Sequence, residues 1–378
     1  MNIKKIAALL CILLLTTGCT RLDRPVSSSP EWIIVTTSQQ EMSTSPTEDT
    51  HTTESTDTEQ TTNASSAATS PQSPEVAVNS EIQALLESMT LHQKICQMFI
   101  TSPDDLTGVS PVTRAGSTTA AAIQQYPVGG MIYFAQNITS SQQVQDMLRA
   151  TQQYSYEYCG VGILTAVDEE GGTVTRIAKK LDTISFNAMA YYGADNDADT
   201  AYYIGSTIGS YLSELGFNVD FAPVADINID PDNELGDRIF SDDPEVVANM
   251  VTHVTLGLQD SGVSATLKHF PGLGAEDGNT HTNSIVVIDR TLTQLRETEL
   301  IPFAAAIDAG ADIVMVGHQT VTGFGDGLPC DLSYFAVTDI LLKELGFDGV
   351  AVTDSFSVSG ELFLEIGCGK GAFWLAHT

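Results

Sequence analysis

The amino-acid sequence predicts an α/β fold, with a parallel sheet covered on both faces by helices. Three observations lead there. Short apolar runs recur near Gln97–Ile100, Gly129–Phe134, Ile163–Val167, Asn218–Pro223, Ala265–His269, Asp312–Val316 and Gly349–Thr353. Between them stand stretches with apolar residues at helical spacing, such as Val144-Met147-Leu148 and Leu300-Phe303-Ile307. Two runs also end abruptly in reactive side chains, one at Lys268-His269-Phe270-Pro271-Gly272 and one at Thr353-Asp354-Ser355. Seven βα units over roughly 280 residues suit a (β/α)8 TIM-type barrel, in which the C-terminal strand ends face the substrate. On periodicity alone, a doubly wound open sheet reads the same way.

Taken in order, residues 1–19 read as an export signal of lipoprotein type: Lys4 and Lys5, an apolar run from Ile6 to Leu15, then Gly18-Cys19. That run is too short to cross about 30 Å of hydrocarbon as a permanent helix. Cys19 is the candidate lipidation site, although Thr16 stands where such signals usually carry Leu. The expected location is the outer face of the cell membrane, held by the N-terminal lipid, or otherwise the exterior as a secreted protein. Residues 20–79 are mostly Ser, Thr, Gln, Glu and Pro, a linker with too little apolar surface to offset its ordering entropy. The folded domain is expected over 80–378. Ser80-Glu81-Ile82-Gln83 has the pattern of a capping box, and Ile82, Leu85, Leu86 and Met89 follow at helical spacing. Thr90 and Gln93 repeat the signal for the next helix, and Gly310 supplies a stop after Leu300-Phe303-Ile307.

The formal net charge is −32, and residues 81–378 keep 39 acidic against 12 basic side chains. Such a surface repels phosphate backbones, which argues against nucleic acid as a partner. Beyond Cys11 and Cys19, the cysteines Cys96, Cys159, Cys330 and Cys368 show no C-x-x-C spacing and read as buried free thiols rather than a zinc site or disulfide framework.

Seven segments in a single order resemble the bacterial β-N-acetylglucosaminidases of glycoside hydrolase family 3. They are Met89-Thr90-Leu91; Val128-Gly129-Gly130-Met131-Ile132; Val167-Asp168-Glu169-Glu170-Gly171-Gly172 with Arg176; Phe217 to Val224; Gly236-Asp237-Arg238; the Lys268 motif; and Asp354. The resemblance selects the barrel over the open sheet. It implies retaining hydrolysis of terminal N-acetylglucosamine from peptidoglycan fragments, with no cofactor and no metal, by a monomer whose partners are N-acetylglucosamine-containing glycans. Asp354 is implied as the nucleophile and His281, on a loop, as the acid/base; a histidine suits that role because its ordinary pKa lies near neutrality. Asn279 stands where the family carries an aspartate that supports this histidine, and an amide brings no charge to stabilise imidazolium. Lys268, His269, Asp168, Arg176 and Arg238 are implied around the sugar.

Plainer readings exist for each residue. Asp354 could cap a following helix, a loop histidine is ordinarily solvated, and a lone arginine more often makes a surface salt bridge worth little. The triplet Asp168-Glu169-Glu170 does not supply the converging oxygens of a hard-cation site. His318, closing the run Ile313–Val316, reads as a supporting residue, and Tyr133 and Phe134 as barrel core. Two other functions stay in view: a β-glucosidase or β-xylosidase of the same family, and a catalytically impaired sugar-binding wall lipoprotein. The family likeness fades after about residue 357, where Gly360 to Gly371 does not resemble the expected last helix and Gly-Ala-Asp strand. The barrel is therefore expected to lack its eighth strand and to leave its first and seventh strands as open edges.

Overall fold

The computed structural model describes residues 82–275 and 286–356, and the backbone of residues 372–377. Cys19, the linker, the Ser80 cap, Asn279, His281 and Cys368 lie outside the described residues. Residues 82–88 are helical, and the next helix, Leu91–Gln97, begins with the expected capping box. The Gln93 amide donates to Thr90 Oγ1 at 3.2 Å, and the Thr90 amide donates to Gln93 Oε1 at 2.9 Å. Cys96, Cys159 and Cys330 are buried free thiols, as expected.

All seven apolar runs are strands. They are β1 (Phe99–Thr101), β2 (Gly130–Ile132), β3 (Leu164–Val167), β4 (Val219–Asp220), β5 (Ser264–Phe270), β7 (Ile313–Val316) and β9 (Val350–Thr353). Each pairs in parallel with its neighbour from β1 round to β9. Two short strands that the periodicity did not mark, β6 (Val287–Ile288) and β8 (Thr320–Val321), form a separate parallel ribbon.

An eighth parallel strand is missing among the described residues, in line with the sequence. The open edges that this implied are not there. β10 (Ala372–His377) runs antiparallel between β9 and β1 and closes the ring. Two facing strand edges offer rows of unpaired N–H and C=O groups, and an extended segment satisfies them in either direction; direction is decided by where the chain enters, which apolar periodicity does not record.

Strand alternation divides the apolar residues in two. Ile100, Ile132, Ala166, Val219, Phe221, Ile313, Met315 and Val352 form an inner cluster, while Met131, Val167, Ala265, Leu267, Val314 and Ala351 belong to the outer core with the helices. On β5 the same rule sends Ala265 and Leu267 outward and Lys268 toward the barrel mouth. The outer layer includes helices Ser141–Cys159, Ala198–Leu215, Pro244–Asp260 and Leu300–Asp308. Val144, Met147, Leu148, Leu300 and Phe303 are their buried residues at the expected spacing, and Gly310, at φ +93°, follows the last helix.

Helices Ala198–Leu215 and Pro244–Asp260 approach closely through glycines. A Cβ at Gly257 would stand 2.4 Å from the Tyr202 carbonyl oxygen, and one at Gly205 would stand 2.2 Å from that of Val254. Backbone cannot yield as a flexible side chain can, so these positions set the helix separation. Gly257→Ala is expected to destabilise the fold by about 1–3 kcal/mol through overpacking. Urea unfolding checks this, and an unchanged midpoint would show that the contact is not limiting.

Candidate active site

The C-terminal ends of the parallel strands surround a cleft of about 330 Å³. Ile132, Phe221 and Met315 from the inner cluster line it, together with Phe134, so Phe134 is not purely core as the sequence suggested; Tyr133 is core. Phe134 ends the β2 run one place beyond Tyr133, and strand alternation turns it to the cleft side. The polar lining is Asp168, Glu170, Arg176, Glu234, Arg238, Lys268, His269, Asp354 and Ser355.

The three adjacent carboxylates after β3 do different work. Glu169 is buried and accepts from the amides of Arg176, Ile177 and Ala178 at 2.6, 2.7 and 2.9 Å and from the Tyr211 hydroxyl at 2.9 Å. It folds the loop and takes no part in the cleft. Glu170, also buried, accepts two hydrogen bonds from Arg238 at 2.8 Å each, and Lys268 Nζ lies 2.6 Å from its Oε1. Asp168 accepts from the same lysine at 3.1 Å. The triplet thus diverges to separate partners and does not converge as a metal loop would.

This network is electrically balanced, with two cations against two carboxylates. Burial favours the neutral acid at Glu170, but the charges of Lys268 and Arg238 outweigh it and hold the carboxyl down to about 2. Burial likewise works against charge on Lys268 and Arg238, and Glu170 and Asp168 more than restore it. Asp220 lies beside them and accepts from the Glu169 amide at 2.9 Å; burial pushes its pKa well up. Arg176 is different. Its Nε is buried without a hydrogen-bond partner among the described residues, and no carboxylate there pairs with it.

Asp354 follows β9, and its amide donates to the Val316 carbonyl at 2.9 Å, which locks the strand end in place. Its Oδ1 accepts from the Ser355 amide at 2.6 Å. Burial raises its pKa, yet the charges of His269 and His318, the Ser355 amide and the charge of Lys268 together lower it below the ordinary aspartate range. His269 is fixed by Asp226, whose Oδ2 lies 2.8 Å from Nδ1 and accepts from the His269 amide at 3.1 Å. With Nδ1 engaged, the other face of the ring is left to the cleft. The Lys268–His269 and Phe270–Pro271 peptides are cis.

Of the residues expected from sequence, Asp168, Arg176, Arg238, Lys268, His269 and Asp354 thus line one cleft. The sequence reading did not single out Glu170, Asp226 or Asp331, the partner of His318. Asp226 carried a signal, since the run Phe221-Ala222-Pro223-Val224-Ala225 ends in it just as the last parallel strand run ends near Asp354. Glu170 stood inside a quoted motif without a partner to give it meaning. Asp331 lies in the short turn Cys330–Leu332, where no periodicity marks it.

Comparison with known proteins agrees with this geometry. The model for the glycosyl hydrolase family 3 N terminal domain matches residues 90–365. A beta-hexosaminidase A from Pseudoalteromonas piscicida is 32% identical over 269 residues, covering 65% of this chain and 45% of its own length. A beta-hexosaminidase from Chromobacterium violaceum is 32% identical over 237 residues, covering 62% of this chain and 65% of its own. The chain therefore spans about half to two thirds of these relatives. Among solved structures, a family 3 beta-N-acetylglucosaminidase from Paenibacillus sp. is 35% identical with a TM-score of 0.67, covering 72% of this chain and 50% of its own. A beta-N-acetylhexosaminidase from Beutenbergia cavernae is 30% identical with a TM-score of 0.64, covering 72% and 80%. With the match running through most of the sequence and through every parallel strand, the chain belongs to glycoside hydrolase family 3.

Proposed function

We propose that this protein is a retaining exo-β-N-acetylglucosaminidase that removes terminal N-acetylglucosamine from peptidoglycan fragments. The observation that carries the proposal is Asp354, a carboxylate held below the ordinary aspartate pKa on a strand end in the cleft, beside cations Lys268 and Arg238 that Glu170 and Asp168 already balance. In the first displacement the Asp354 carboxylate attacks the anomeric carbon. The glycosidic bond breaks, and the leaving oxygen takes a proton from His281. Water then gives its proton to His281 and cleaves the glycosyl–aspartate bond. Asp168, Lys268 and His269 would meet sugar hydroxyls, and the Arg176 guanidinium would find a hydrogen-bond acceptor in the sugar. The hexosaminidase names of the relatives support this substrate class over glucosides and xylosides. A lipid on Cys19, followed by the residue 20–79 linker, would let the domain stand off the membrane and reach the wall around it.

A second reading, a wall lipoprotein that binds sugar without turnover, is favoured by one residue. Asn279 offers the acid/base histidine an amide in place of a carboxylate. Turnover of a chromogenic β-N-acetylglucosaminide, measured beside binding of free N-acetylglucosamine, separates the two. Binding without turnover would favour the second.

Asp354→Ala is expected to abolish turnover while sparing sugar binding. A folded variant retaining more than about a hundredth of wild-type kcat would remove Asp354 from the nucleophile's role. Asn279→Asp is expected to raise kcat and shift a limb of the pH–rate profile, because a carboxylate raises the pKa of a neighbouring imidazole; an unchanged profile would uncouple the two residues. Glu170→Gln leaves the buried Lys268 and the partly buried Arg238 with one carboxylate and is expected to cost about 3 kcal/mol of stability. In the wild type, the stabilisation from Glu170 is full above the ordinary glutamate pKa and is lost as the pH falls through about 2. Acid unfolding of the variant should accordingly be shallower over that window, and equal slopes would refute the assignment.

A further inference from the structure

His318 stands two residues beyond β7, with 7% of its surface exposed. Its Nε2 is 3.2 Å from the Ser355 carbonyl oxygen, and its Nδ1 is 3.1 Å from Asp331 Oδ2. The Nδ1–Oδ2 contact is within ion-pair distance without the alignment of a hydrogen bond, so it is a charge on the ring, set against a buried carboxylate, that makes the contact favourable. The Asp331 side chain is fully buried, and among the described residues His318 is the cation it meets. The turn holding Asp331 is pinned next to His318, since the Cys330 amide donates to the Gln319 carbonyl at 2.9 Å and Thr320 bridges to Pro329. Phe356 stacks on the histidine with ring centroids 5.5 Å apart and planes 24° from parallel, within cation–π reach. Ser355, whose carbonyl faces His318, is also the residue whose amide holds the Asp354 carboxylate.

We propose that the buried His318–Asp331 pair is a positioning device for Asp354, a fixed imidazolium that holds the Ser355 turn and keeps the Asp354 carboxylate ionised. The inference rests on reading Asp354 as the nucleophile. Asp354 is faced by His318, by His269 and Lys268 from β5, and by the Ser355 amide. His318 is faced by Asp331, by Asp354 and by the Ser355 carbonyl; Cys330, next to Asp331, also faces Asp326. Burial pulls the pKa of His318 down, and these acceptors and charges bring it above the ordinary histidine value. Removing its charge takes one counter-ion from Asp354, so the aspartate pKa must rise and the acid limb of the activity profile must move to higher pH.

The test uses the full chain as wild type, His318→Gln and Asp331→Asn. The pH profile of kcat/KM on a chromogenic β-N-acetylglucosaminide is read beside ¹³C NMR titrations of the His318 ring and the Asp354 carboxyl. In the wild type, His318 should remain an imidazolium at pH 7. In His318→Gln, the acid limb and the Asp354 titration should rise together by about one pH unit, the low end for loss of one close opposite charge. Asp331→Asn should lower the pKa of His318 and move the acid limb in the same direction. A neutral His318 at pH 7 in the wild type, or an unmoved Asp354 titration in folded His318→Gln, overturns the proposal. If the wild type shows no turnover while the NMR shifts appear, the pairing stands and the hydrolase reading falls. If Asp331→Asn does not fold, the wild-type ring titration and His318→Gln decide alone.

Discussion

The cleft depends on one carboxylate shared between a buried lysine and a partly buried arginine. Lys268 is almost wholly withdrawn from water at the end of β5, and an ammonium group there is tolerable only with anions in contact. Glu170 supplies the nearer contact and spends its second oxygen, as well as part of the first, on Arg238. That sharing ties the loop after β3 to β5 and to the short turn Gly236–Arg238. It also decides which charges remain for chemistry. With Lys268 and Arg238 balanced by Glu170 and Asp168, the field at Asp354 comes from a residual part of Lys268 and from the two histidines, each steadied by its own buried aspartate. The pattern repeats at Lys268, Arg238 and His269, where a basic group facing the cleft has an acid standing behind it; Arg176 alone among the basic groups lining the cleft, within the described residues, departs from it.

The architecture was legible because two periods are printed in the sequence. Val144, Met147 and Leu148 announce a helix face, and Ala265 and Leu267 announce the outward side of β5. The residues at strand ends followed from the same pattern, since an apolar run that stops at a lysine, histidine or aspartate has reached the barrel mouth. What periodicity could not deliver was pairing. Glu169 and Glu170 are adjacent and chemically alike, yet one is consumed by backbone amides and the other by side-chain cations. Only the path of residues 171–178, folding back over Glu169, distinguishes them. Asp226 ended an apolar run and could have been read by the rule that found Asp354, whereas Asp331 lies in a turn with no repeating neighbours to mark it.

Strand direction was the other hidden quantity. β10 fills the ring antiparallel, and its register places Ala372 opposite Thr101 and Trp374 opposite Phe99. Ala372 therefore lies at the same rim as the C-terminal ends of the parallel strands, and His377 lies at the far end. In an all-parallel barrel the link from the seventh strand to the eighth must travel the full height of the cylinder before entering from below. Here the chain leaves β9 and enters β10 on one side only. Thr353, which closes β9, and Ala372, which opens β10, therefore both stand at the rim where Asp354 lies. The reversal of one strand thus sets the end of one strand and the start of the next on the same rim as the cleft, where an all-parallel ring would have divided them between its two faces.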